Sequence, residues 1–300
     1  MSFLLAHLSD LHLGPLPDFR RRALLSKRIT GFINWKRNRG AGKSPDALNL
    51  LIDHLRKQKP DHIAVTGDIV NLALREEWPL AKEFMQKLGS PDHVSFVPGN
   101  HDAYVPGAYQ KMLQWLMPYM LGIGQTRVNF NFPWTRQIGF VRLIGISTAY
   151  ASAPFMATGR IGTSQLKRLE AMLARDAQHP HGVTVLLIHH PPFLEATKWH
   201  KRLTDIKALQ KVIHRYPVDL ILHGHNHTQS YAAMPTRSKP VPIIGVQSAS
   251  LHKKHYKPGY FLYKIGEQAP VCIKKVSACL ETHSIEESGW LSLKEFQAST

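Results

Sequence analysis

Apolar residues in this chain come in short continuous runs rather than in strict alternation. FLLAH (3–7), HIAVT (62–66), VSFVP (94–98), FVRLIGIS (140–147), VTVLLIH (183–189) and VDLILHG (218–224) each hold three or more. Runs this short, rich in β-branched residues and bounded by polar or glycine-containing segments, read as strands buried on both faces. Helical periodicity appears between them. Ser44-Pro45 opens one helix through Arg56, with proline at the first helical position, Thr163-Ser164 opens another through Arg175, and Thr204 precedes DIKALQKVIHRY. The last third is strand-rich, with VPIIGVQSAS, GYFLYKIG and APVCIKKVSACLE. The pattern predicts one layered α/β domain over 1–283, followed by a C-terminal tail at 284–300.

The ends of those runs carry the chemistry. The first stops at Asp10-Leu-His12, and an extended chain would turn both side chains to one side. The second ends in Gly67-Asp68, the third in Gly99-Asn100-His101-Asp102, the fifth in His189-His190-Pro191, and the sixth in His223-Gly-His225-Asn-His227. Open α/β sheets place their sites beyond the carboxyl ends of strands. Five such endings in one chain form a site.

Asp10, His12, Asp68, Asn100, His189, His225 and His227 offer nitrogen and hard oxygen without thiolate. That donor set suits Mn, Fe, Zn or Co. Seven donors exceed one ion and fit two divalent ions sharing a carboxylate, an arrangement that clamps a phosphoryl group from two sides.

D-x-H, G-D, G-N-H-D, H-x-P and G-H-x-H in this order resemble the calcineurin-like metallophosphoesterases. The wording SDLHLG, GNHD and HHPP is most similar to their bacterial class III cyclic-nucleotide phosphodiesterase branch, which also contains glycerophosphodiesterases. The resemblance implies a four-layer αββα sandwich of two mixed sheets. It implies one metal on Asp10, His12, Asp68 and His227 and another on Asp68, Asn100, His189 and His225, with Mn or Fe favoured. It also implies that His101 protonates the leaving oxygen. Some relatives orient this histidine with an acidic residue three positions after the bridging aspartate; here that position is Asn71, which could still accept a bond from the imidazole N–H. Asp102 is the candidate substitute, and His190 the candidate outer partner of the ligands. The expected substrate is a small phosphodiester such as a cyclic nucleotide or glycerophosphodiester. The alternatives are a nucleotide-lipid pyrophosphohydrolase, a nuclease and a phosphoesterase-like scaffold.

Charge modifies this picture at one place. The chain carries 38 Lys and Arg against 21 Asp and Glu. Nine of the positive residues fall between Arg20 and Lys43, where no acidic residue occurs. This insertion, 18–43, reads as an imperfect amphipathic helix with Leu25, Ile29, Phe32 and Ile33 as its stripe and Gly31 as a weak point. Either the stripe packs on the domain and the cations face water, or the segment caps the site and meets an anionic membrane surface. Nucleic acid is less favoured as partner, because nuclease relatives carry extra binding modules not found here.

His252 and His255 could reach a substrate phosphate. His54, His62, His93, His179, His181 and His214 are expected at the surface or at strand ends. The opening apolar piece is too short for a secretory leader and no apolar run is long enough to span a bilayer. With two cysteines, Cys272 and Cys279, a reduced cytoplasmic chain is expected, peripheral to the inner membrane face if the basic segment docks there.

Overall fold

A computed structural model describes residues 2–38, 45–179, 182–251, 256–267 and 271–300. Arg39, Lys43, His181, His252 and His255 lie outside the described residues.

Two mixed sheets pack face to face and helices cover their outer sides. In the first sheet β1 (Ser2–Leu8), β2 (His62–Val65) and β3 (Val94–Phe96) run parallel. The second sheet is built around β4 (Trp134–Ile138), β5 (Val141–Gly145), β6 (Val183–Leu187), β7 (Leu220–His223), β8 (Ser230–Met234) and β9 (Val241–Gly245), in the order β4-β5-β6-β7-β9-β8. Its strands β5, β6, β7 and β9 are parallel. β10 (Gly259–Gly266) returns to pair antiparallel with β1, and β11 (Val271–Cys279) with β10.

Continuous apolar runs are explained by this layering. On β6, Val183, Val185 and Leu187 enter the core between the sheets, while Leu186 and, just past the strand, Ile188 enter a second core. That second core lies under α5 (Thr163–Gln178) and α6 (Ile206–Arg215), which contribute Leu169, Leu173, Leu209 and Ile213. Successive side chains of a strand point to opposite faces, so two buried faces require an unbroken apolar run. Across the first sheet, α2 (Pro45–Gln58) supplies Leu48, Leu51 and Leu55. α3 (Glu77–Leu88) and α4 (Ala108–Leu116) were not named from the sequence, although Trp78, Ala81, Met85 and Leu88 recur at helical spacing and are buried.

Two expectations need correction. Residues 284–300 are not a loose tail: β12 (Ser284–Glu287) and β13 (Leu291–Ser292) pair with β11, and α7 (Leu293–Ala298) buries Phe296 completely. A capping box between Ser292 and Glu295 starts α7. His62 stands at the start of β2, one of the strand ends expected for it, and is fully buried there, bonded through Nε2 to Ser95 Oγ at 2.8 Å, with burial lowering its pKa to about 3.

The second correction concerns the insertion. Its helix, α1, spans Arg28–Asn38, and the proposed stripe does not pack as a unit. Leu25, Ile29 and Ile33 are exposed, whereas Gly31 is buried and Phe32 and Trp35 stack on each other. Gly31 is the contact point: a Cβ there would collide with the Tyr104 hydroxyl and Leu72. Close approach of backbone to a neighbour overrides the helix-propensity cost of glycine.

Candidate active site

Parallel β1, β2 and β3 of one sheet and β6 and β7 of the other all finish at the same end of the sandwich, so their following loops converge. Pairing continues beyond β1 and β2. Asp10 N–H donates to Gly67 C=O at 2.9 Å, and His12 N–H to Asp68 C=O at 2.8 Å. The two sheets are joined here by His189 Nδ1, 2.6 Å from Thr66 C=O, and by His225 N–H, which donates to Asp10 Oδ2 at 2.9 Å.

The loops bring all seven expected ligands together, but not by the extended geometry expected for Asp10 and His12. Asp10 (φ 53°), His12 (39°), Asp68 (56°), His225 (71°) and His227 (61°) occupy left-handed backbone. For a non-glycine residue that conformation costs about 1–2 kcal/mol, and such strain concentrates at functional sites. Turning the backbone back on itself, rather than alternation along a strand, aims these side chains at one point.

Asp10, His12, Asp68 and His227 offer ligand atoms that all lie within 4.8 Å of one another. His227 Nε2 is 3.2 Å from Asp10 Oδ1, and His12 Nε2 is 3.2 Å from His227 Nε2 and 3.7 Å from Asp68 Oδ2. On the far side of Asp68, His189 Nε2 lies 3.5 Å from the same Oδ2, 3.3 Å from Asn100 Oδ1 and 3.3 Å from His225 Nδ1. Asp68 therefore stands between two clusters of donors. His190 touches the second cluster, with its ring 4.3 Å from that of His225, but its own nitrogens meet Thr148 Oγ1 (2.7 Å) and Ala157 C=O (3.1 Å).

The residues fit a cation. Asp10 Oδ1 is buried and makes no well-aligned hydrogen bond, with only the His227 imidazole facing it at 3.2 Å. A buried carboxylate oxygen left in that state is costly unless a cation neutralises it. Burial would raise the Asp68 carboxyl, but His189 and His101 hold it well below the usual range. Burial would lower His189, yet Asp68 lifts it to about 9. Positive charge is thus stabilised between these groups. His225, by contrast, is driven well below its ordinary value by burial and by His190 and His189, which leaves it a neutral donor.

Two buried carboxylates hold the loops in shape. Asp102 does not serve as the partner of the His101 ring. Its Oδ2 accepts from the amides of Asp68 and Gly99, both at 2.8 Å, and its Oδ1 from those of Ile69 and Val70 at 3.0 and 3.3 Å. Burial and the Asp68 charge push its pKa up to about 7 against those amides. Glu77 accepts from the amides of Asn71 (2.6 Å), Leu72 (3.1 Å) and Leu74 (2.8 Å). The loop it fixes presents the backbone carbonyl of Asn71 to His101 Nδ1. The Asn71 side chain, considered from the sequence as the acceptor, instead donates to Leu13 C=O at 2.6 Å. No sequence motif marks a backbone carbonyl, so this orienting group was invisible beforehand. Tyr104, also unforeseen, stacks on His101 with ring centres 5.2 Å apart.

Above these groups lies a cavity of about 890 Å³, lined among others by Asp68, Asn100, His101, Tyr104, His225 and His227. Lys27 reaches it from the insertion, and burial lowers its pKa to about 8. Its Nζ donates to Ser152 C=O (3.1 Å), Ser152 Oγ (2.8 Å) and Met156 C=O (2.8 Å), and it lies 4.7 Å from the Tyr104 ring centre.

Comparison with known proteins agrees with this geometry. The chain is 27% identical to the glycerophosphodiester phosphodiesterase GpdQ of Enterobacter lignolyticus over 233 residues, covering 75% of this chain and 70% of the relative. It is 24% identical to a 3',5'-cyclic-nucleotide phosphodiesterase of a Nostoc species, covering 75% and 71%. Among solved structures, a dimetal phosphatase from Danio rerio superposes with a TM-score of 0.64 at 14% identity, over 91% of this chain and 95% of that one, which is a likeness of fold. The family model described as calcineurin-like phosphoesterase matches residues 3–229, and the chain belongs to that family of phosphoester hydrolases.

Proposed function

We propose that this chain hydrolyses phosphodiesters with two divalent cations at the strand ends. Asp10, His12, Asp68 and His227 would hold one ion, and Asp68, Asn100, His189 and His225 the other. The observation that carries the reading is the position of Asp68 Oδ2, 3.7 Å from His12 on one side and 3.5 Å from His189 on the other. Nitrogen and oxygen donors without sulfur suit Mn, Fe, Zn or Co, with Mn or Fe favoured. When bound, such a pair supplies Lewis-acid contacts to phosphoryl oxygens and a water of lowered pKa.

The chain's own residues do the rest. His101 N–H donates to Asp68 Oδ1 at 2.7 Å, which ties the acid to the central carboxylate. Its Nδ1 is engaged by the Asn71 carbonyl, which fixes a proton there and assigns Nε2 to exchange a proton with the leaving oxygen. General acid catalysis of this kind contributes about 10²–10⁴-fold. Tyr104 holds the ring plane by stacking. Preference for a diester rests on the relatives, whose names are those of a glycerophosphodiesterase and cyclic-nucleotide phosphodiesterases.

The test is metal stoichiometry together with turnover. After Mn²⁺ loading, close to two ions per chain are expected, with hydrolysis of bis(p-nitrophenyl) phosphate exceeding that of the monoester and abolished by chelation. A single ion, or full loading with no turnover of either ester, would replace this reading with a mononuclear enzyme or a scaffold.

A further inference from the structure

Three segments, 20–38, 149–160 and 193–203, border the cavity and line it through Lys27, Ile33, Phe155, Met156, Thr197 and Lys198. Lys27 ties the first to the second through Ser152 and Met156. Ala157 N–H to His200 C=O (2.8 Å) and Gly159 N–H to Arg202 C=O (3.1 Å) tie the second to the third. The third is anchored to the floor by Lys201 C=O, 2.9 Å from His225 Nε2.

This rim is unusually apolar for a solvent-facing edge. Of the eleven large apolar side chains that stand exposed among the described residues, seven lie on these segments or on the cavity wall beside them. Leu25 is 85% exposed, Phe155 80%, Trp199 67% and Ile29 50%. Ile29 and Ile33, one turn apart, share the side of α1 turned away from its Gly31 contact. Phe155 holds φ 63°, which for a bulky residue is a genuine outlier, and it does so with most of its ring in water. The turn Ala153–Met156, with Pro154 at its second position and Met156 N–H donating to Ala153 C=O at 3.1 Å, holds that conformation and displays the ring.

The same edge is basic. Arg21, Arg22, Lys36 and Lys198 are exposed and have no ion-pair partner among the described residues, and no acidic residue occurs from 20 to 38. Aliphatic and aromatic side chains interleaved with uncompensated cations are the composition of a surface that lies in the headgroup region of an anionic bilayer. A single-stranded nucleic acid would use the cations and the two aromatic rings but would gain no stacking from Leu25, Ile29 and Ile33. The observations therefore favour lipid.

We propose that this rim docks on an anionic lipid surface. Leu25, Ile29, Phe155 and Trp199 enter the boundary between headgroups and acyl chains, and the cations meet lipid phosphates. The cavity then opens directly onto phosphoesters presented at that surface. The functional consequence rests on the phosphodiesterase reading above, whereas the docking itself does not.

The experiment uses the full chain loaded with Mn²⁺ and vesicles of phosphatidylcholine alone or mixed with phosphatidylglycerol. Co-sedimentation is expected with the mixed vesicles at low salt and not with neutral ones. It should weaken as the Debye length shrinks from about 10 Å at 0.1 M toward 3 Å at 1 M. Brominated acyl chains should quench a tryptophan emission component that disappears in Trp199→Phe, which reports insertion without relying on a destabilising variant. Leu25→Ser with Ile29→Ser should lower the partition coefficient about tenfold or more. Lys36→Gln with Lys198→Gln should lower it and flatten its salt dependence.

Absence of binding to mixed vesicles at low salt overturns the proposal. So does wild-type partitioning of the Leu25/Ile29 variant, or binding of a single-stranded oligonucleotide in place of vesicles. Hydrolysis of bis(p-nitrophenyl) phosphate is measured in every arm. Its loss with binding intact overturns the enzymatic reading alone, and its persistence without binding overturns the docking alone.

Discussion

At the floor of the site, Asp10, His12, Asp68 and His225 are nearly sealed from solvent and occupy left-handed backbone, whereas the rim displays Leu25, Phe155 and Trp199 to water. Both regions contain residues in unfavourable conformations, but different things hold them there. The floor is over-determined. Asp102 alone gathers four amides from two loops, and Glu77 gathers three from the next turn. Each segment of the rim hangs on a few polar links. Lys27 spans to the 152–156 turn, and Arg28 reaches Leu72 and Ala73 carbonyls at 2.9 and 2.6 Å. Strain is stored where buried hydrogen bonds outnumber the ways to relax it, and adaptable contact surface is left where they do not.

The largest expected effect breaks the floor at its centre. Asp68→Asn should reduce diester turnover about a thousandfold or more and lower metal content, measured by elemental analysis. Even outer partners of metal ligands cost about 10–100-fold, so a carboxylate between two ions costs more. Retention of both activity and two ions would show that Asp68 is not the shared ligand.

Next comes the clamp. Asp102→Asn presents an NH₂ where one carboxylate oxygen accepted two amides, leaving those donors unpaired. A loss of about 3 kcal/mol in urea unfolding is expected, at about 1–3 kcal/mol per buried unsatisfied donor. The Asn variant should also lose activity through loop displacement, while a rim substitution such as Leu25→Ser leaves the unfolding midpoint near wild type.

His101→Ala separates chemistry from architecture on the floor itself. Turnover of a diester with an alkoxide leaving group should fall about 10²-fold, with a much smaller loss for a p-nitrophenyl leaving group that needs little protonation. Metal content should remain at two ions. Equal losses on both esters would assign His101 a positioning role.

The smallest effect tests how the rim is attached. Helix propensity alone says that Gly31→Ala stabilises α1 by about 1 kcal/mol. The contact with the Tyr104 hydroxyl and Leu72 says the helix must lift instead. Faster proteolysis within 20–38, with little change in global unfolding, is the expected result. Slower proteolysis would show that propensity outweighs packing at this position.

Much of the floor was legible in advance because it lies where apolar runs stop. Buried parallel strands must be apolar throughout, so an abrupt Asp-x-His or Gly-Asn-His marks both the end of a strand and the end of the sheet where ligands gather. The groups that hold the floor were not legible. Asp102 stands next to His101 in sequence and is the candidate substitute there, yet its carboxylate turns to the amides of 68–70 and 99. The Asn71 carbonyl has no side-chain signature at all. In the insertion, Leu25, Ile29 and Ile33 satisfied a helical repeat, but periodicity states which residues share a face and not which face is turned inward.

Local composition by itself determined the layered α/β class, the five polar strand ends, the sulfur-free donor set and the concentration of cations between 20 and 43. These are properties of neighbouring residues, set by burial of both strand faces and by charge counted along the chain. Tertiary structure alone decided that Asp68 stands between two donor clusters, that Asp10 Oδ1 is left without a well-aligned hydrogen bond, and that Gly31 rather than the aliphatic stripe faces the domain. Each depends on contacts between residues tens to hundreds of positions apart. Only the packed chain can trade the left-handed backbone of Asp10 and Asp68 against distant hydrogen bonds, so no local pattern contains the answer.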